Sequence, residues 1–191
     1  MDLKNRLLAA VAAEPSRPRS AFRRRRIVAL AAAALISLTM LVLVRGVPAN
    51  ASPASLGAAV IAAVGLAAAL RPGPSMLGRP QVVQLALPAL LLAWNLAVSS
   101  QAAPRPWDEC IVLALATGIA PLVALIDLRR GTAAAHPRIT GWVLGTAAGA
   151  FSWLLVDLGC PAGQIDHLLL GHLLPLVLLA AAGALAGAPL R

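Results

Sequence analysis

Cys110 and Cys160 are the only thiols in this chain of 191 residues. Brought together, two thiols can close a disulfide in an oxidising compartment, or deprotonate and hold a soft metal with imidazole or carboxylate help. Such help stands close by: Asp108 and Glu109, behind Trp107, precede the first cysteine, and Asp157, Asp166, His167 and His172 flank the second. His167 and His172 are five positions apart, roughly 140° around an α-helix, so a single ion is not expected to take both. No CxxC and no histidine-rich tract sharpens the site. The plainer reading, two small apolar side chains at helix ends, therefore stays open beside the chemical one.

These residues must be positioned by apolar elements. Hydrophobic residues make up 60% of the chain and charged ones 12%, with a mean hydropathy of +0.83. A soluble domain of this size could not hide so much apolar surface in one core. Six runs have the roughly 17–25 apolar residues that a helix needs to cross a bilayer: Ile27–Val44, Ser55–Leu70, Val82–Val98, Cys110–Ile126, Thr140–Leu158 and His167–Leu185. They are continuous Ala/Leu/Val runs without the polar alternation of a barrel strand. The expected fold is all-α, a polytopic integral membrane protein built as a bundle of six transmembrane helices with short loops. Two parts are expected: a cytoplasmic N-terminal segment, residues 1–26, and the six-helix domain, residues 27–191.

Orientation follows from the placing of Lys and Arg in short loops. With the N-terminus inside, one face collects Lys4, Arg6, Arg17, Arg19, Arg23 to Arg26, Arg71, Arg79, Arg129, Arg130, Arg138 and Arg191, and the other keeps only Arg45 and Arg105. Both termini are thus expected in the cytoplasm. The net charge of +9 reads as topogenic arginine against anionic lipid, so direct nucleic-acid binding is not expected. Cys110 and Cys160 then share the outer face with Asp166 and His167. His172 lies deeper, where an ionisable group is expected to face the interior and to have a partner.

The chain has no Gly-rich phosphate loop, H-E-x-x-H or G-x-S-x-G, so an enzyme is not expected. A thiol oxidoreductase relaying electrons would need a second thiol pair. A small transporter would need a polar midplane site, for which Gln84, Asn95 and Thr117 are thin material. Gly141, Gly145 and Gly149 form a ridge on span five, with Trp153 continuing the row, which lets another helix approach closely. Pro88, Pro121 and Pro175 fall inside spans three, four and six, where neighbours can satisfy the freed carbonyls.

Outside the spans, Asp2–Ala13 has the pattern of a short amphipathic helix with Leu3, Leu7 and Val11 on one stripe and Leu8 widening it. Such a stripe suits the membrane surface or a partner's groove. Glu14–Ser20, with Pro15, Pro18 and two arginines, has the composition of an extended tether.

Over nearly the whole chain these features resemble the NrsF family of bacterial membrane anti-sigma factors. The resemblance is carried by the segment LLAAVAAEPSRPRSAFRRRR, the six spans, the cysteine opening span four, the stretch LRRGTAAAHPRITGWVLGTAAGAFSW, the second cysteine in a GCP context, and DHLLLGHLLPLVLLAAAGALAG, in which His172 precedes Pro175. It implies an inner-membrane protein whose N-terminal segment, within Asp2–Arg25, holds an extracytoplasmic-function sigma factor. It also implies that Cys110 and Cys160 sense metal or oxidative stress from the periplasm and release that factor, with no cofactor beyond transient binding of a soft metal. The N-terminal segment departs from the family in being Ala-rich and poor in acidic residues.

Overall fold

The runs are rich in Ala and Leu, which lose little freedom in helical backbone, and a helix satisfies its own backbone polar groups where lipid cannot. The computed structural model describes residues 19–46, 53–70, 82–98, 106–130, 136–160 and 164–187. Among them are six helices and no strand: α1 (Arg19–Arg45), α2 (Pro53–Leu70), α3 (Val82–Val98), α4 (Trp107–Arg129), α5 (Pro137–Asp157) and α6 (Ile165–Gly187). Each expected run coincides with one of them. α1, α4, α5 and α6 are long and apolar enough to cross a membrane, and α2 and α3 are shorter apolar helices.

α1 starts at Arg19, ahead of the apolar run, so the last residues of the expected tether are helical. Arginine is a good helix former and a nucleated helix propagates cheaply. The helix ends at Gly46, whose φ of +79° suits glycine, with the Gly46 N–H donating to the Val42 carbonyl at 2.9 Å. Pro137 opens α5 behind His136, where its missing N–H costs nothing.

α5 is the central element, with 78% of its apolar window buried against 17% for α1. It packs on α6, α4, α2 and α3. The contact with α6 is backbone on backbone. A Cβ on Gly141 would strike the Gly183 carbonyl, and one on Gly145 the Leu179 carbonyl and Ala180 Cα; on Gly149 it would lie 2.9 Å from Leu176 Cα. The ridge on α5 thus faces a groove on α6, the close approach that small residues permit.

α1 and α4 run antiparallel, and three contacts, two polar and one apolar, fix their register. Arg25 pairs with Asp127 at 2.8 Å near one end. Midway, Ser37 Oγ donates to the carbonyls of Ala33 at 3.0 Å and Thr117 at 2.7 Å. At the other end Leu41 is packed with Cys110 and Leu113. α5 joins this ladder through Ser152, which lies 3.0 Å from Thr117 Oγ1 and donates to the Ala114 carbonyl. Thr117 Oγ1 also donates to Leu113 at 2.8 Å, and Asn95 to Leu91 at 3.1 Å, so both are hydrogen-bonded within their own helices.

Candidate functional site

At the end of the bundle remote from Arg25 and Asp127, four side chains meet. Cys110 comes from the first turn of α4, Cys160 from the turn that follows α5, and His167 and His172 from the start of α6. All four are buried, with relative exposures of 0%, 6%, 2% and 1% in that order. Their potential ligand atoms lie within 4.8 Å of one another. The two sulfurs are 3.5 Å apart as thiols, and Cys160 Sγ is 3.1 Å from His167 Nε2. Leu41, Leu113, Leu155 and Val156 form the apolar wall around the sulfurs.

The meeting of the two histidines corrects the helical-wheel expectation that they point well apart and cannot easily serve one metal. Leu168–Leu173 is a π-helical segment inside α6. Its i→i+5 closure widens the turn and brings residues five apart to one side, so the imidazole centroids of His167 and His172 are 5.5 Å apart. A partial signal lies in the sequence. Pro175 cannot donate to the Gly171 carbonyl and its ring crowds that group, which disfavours ordinary α-helix just there. A proline gives no choice between kink and bulge, however, so the i+5 pairing was not legible.

Gly171, within the π segment, keeps the site open: a Cβ there would come 3.2 Å from Cys110 Cβ and 3.4 Å from His167 Nε2. Asp157, also buried, puts Oδ1 3.3 Å from His172 Nδ1, and Trp153 lies against the same imidazole at a centroid distance of 5.3 Å. Both His172 nitrogens, Asp157 Oδ2 and Trp153 Nε1 are nonetheless buried without a well-aligned hydrogen bond. Each such atom costs about 1–3 kcal/mol, and a concentration of them in one place asks for a reason. Sequence reading had placed Asp157 near the cysteines but did not single it out as the partner of His172.

The remaining expected residues fall elsewhere. Asp166, Trp107, Asp108 and Glu109 are exposed, and Asp166 is not one of the four grouped side chains. Leu3, Leu7, Leu8 and Val11 lie outside the described residues.

The arrangement supports two kinds of chemistry. Oxidation would join the sulfurs, giving up two electrons and two protons to an external oxidant; His167 is placed to take a proton from Cys160. Alternatively, both thiols lose protons and the sulfurs bind a metal with the imidazoles.

In comparison with known proteins, the sequence model of one family, described as NrsF, negative regulator of sigma F, matches residues 8–191. No curated protein and no solved structure matches the chain.

Proposed function

The chain belongs to the NrsF family, negative regulators of sigma F, and from that premise we propose that it is a membrane-bound anti-sigma factor that holds an extracytoplasmic-function sigma factor at the cytoplasmic face. The buried Cys110–Cys160 pair, on the periplasmic side, governs its release in response to metal or oxidative stress. The observation that carries the reading is the extent of the family match, which reaches from Leu8 through every helix to the C-terminal residue.

Membrane insertion with six spans is supported by what the helices leave uncovered. Leu35, Leu43, Leu56, Val60, Val112 and Leu185 are each more than half exposed, and an apolar belt of this extent needs lipid against it. The inner-membrane orientation, with both termini inside, is supported by the charges. Arg24, Arg25, Arg26, Arg129, Arg130 and Arg138 belong to helix ends and turns on the side opposite the thiols, as the positive-inside rule requires. Cys110 and Asp127 stand on one helix and are separated by about 26 Å at 1.5 Å per residue. A change at the thiols therefore has a rigid path to the end of α1 from which the N-terminal segment extends. In this reading the stripe Leu3, Leu7, Leu8 and Val11 contacts the sigma factor, and the bundle has two packings of α4 and α5 that the state of the thiols favours differently.

Co-purification tests the assignment. The full-length protein, solubilised in detergent from native membranes, is expected to bring down a sigma factor, and the same protein lacking residues 2–22 is not. Recovery of no sigma factor with either form would overturn the reading.

A further inference from the structure

We infer that Cys110, Cys160, His167 and His172 form a tetrahedral binding site for a borderline-to-soft divalent cation of the zinc and cadmium class, with Asp157 orienting His172 from outside. The site exists independently of any partner; its use as the sensor's ligand site rests on the function proposed above.

Donor chemistry comes first. Two sulfurs and two imidazoles are the set that selects zinc-like ions, while calcium and magnesium require oxygen ligands. Geometry agrees with it. Metal–sulfur and metal–nitrogen bonds of about 2.3 and 2.0–2.1 Å make the edges of a tetrahedron roughly 3.3–3.8 Å long. The sulfur–sulfur and sulfur–nitrogen separations of 3.5 and 3.1 Å fall close to those edges. The whole set, within 4.8 Å, needs a closure of about 1 Å at its widest.

An independent observation points to the same ligand. His172 is 1% exposed, sits among these donors, and neither of its nitrogens makes a hydrogen bond of good geometry, Nδ1 having only its longer contact with Asp157. A metal on Nε2 would satisfy one of them. The other, Nδ1, already faces Asp157 Oδ1 at 3.3 Å, the carboxylate–histidine–metal arrangement that fixes a ligand's tautomer. The π segment brings the second imidazole to the site, and Gly171 leaves it without a methyl group.

Charge agrees as well. Binding puts the cation in place of the two thiol protons, so that two thiolates offset its charge in a buried apolar surrounding, while the Asp157 carboxylate faces the His172 ring that the ion polarises.

Purified full-length protein in detergent, reduced and kept free of oxygen, would be titrated with Co2+ and then with Cd2+ while proton release is followed. The expected result is one ion per chain, thiolate-to-cobalt charge-transfer absorption with the intense visible bands of tetrahedral cobalt, displacement by Cd2+, and release of protons as the thiols bind. His167→Ala and His172→Ala are each expected to lose the tetrahedral bands. Asp157→Asn should keep those bands while binding roughly 10–100-fold more weakly. Thermal unfolding of each variant without metal identifies any that has lost its fold, and His172→Gln replaces His172→Ala in that event. No binding by the wild type, or binding unchanged when either histidine is replaced, would overturn the inference. A sigma factor recovered with a protein that binds no metal would refute this site alone; metal binding without a sigma factor would refute the proposed function alone.

Discussion

At the scale of single residues, the interior holds two kinds of polar group that answer to different rules. Ser37, Thr117 and Ser152 are buried and hydrogen-bonded, and they join α1, α4 and α5 at mid-height. His172 and Asp157 are buried and poorly paired. The first kind stabilises; the second is what the proposed metal site would satisfy. Thr117→Val keeps the shape but removes the bonds to Leu113 and Ser152, a cost of about 1 kcal/mol. In detergent this is expected as a fall in Tm of roughly 2–4 °C. Because Ser152→Ala removes part of the same network, the double variant should lose less than the sum of the two singles. The residue types of the site were legible in the sequence, since Cys110, Cys160, His167 and His172 are few and stand out against an apolar background. Their grouping was less so: the cysteines could be assigned to one face from topology, whereas His167 and His172 were separated by a helical wheel that the π segment does not obey.

At the scale of elements, the positions of all six helices could be read because each is a long apolar run, and hydropathy needs no knowledge of neighbours. The start of α1 at Arg19 could not be read that way, since helix there is continued by propagation beyond the apolar stretch. The Gly141, Gly145 and Gly149 row announced a close contact without naming the partner, which the structure identifies as α6. Gly145→Val is expected to force the two backbones apart, an overpacking cost of about 1–3 kcal/mol or more. The corresponding fall in Tm in detergent is roughly 5 °C or more, while Val112→Ala, on an exposed face, should leave Tm nearly unchanged. An unaltered Tm for Gly145→Val would mean that the α5–α6 contact is looser than these contacts require.

At the scale of the whole molecule, chemistry and positive charge are largely segregated: the thiols and imidazoles gather at one end, and Arg24, Arg25, Arg26, Arg129, Arg130 and Arg138 at the other, with Arg45 of α1 the exception. The Arg25–Asp127 pair at the basic end is largely exposed and worth under about 1 kcal/mol, so it sets register more than stability. In the proposed function, α4 would carry the signal between the ends, held to α1 by Ser37 and to α5 by Ser152. If release of the sigma factor is governed by the thiols, the isosteric double variant Cys110→Ser/Cys160→Ser should keep it bound and make the cell deaf to the stimulus. The measurement is transcription from a promoter read by the co-purifying sigma factor, with the wild-type or the double-variant protein in the membrane, before and after challenge with Cd2+ or a thiol oxidant. The expected result is low transcription in both strains before challenge and a rise only in the wild type after it. An equal rise in the two strains would contradict the central claim.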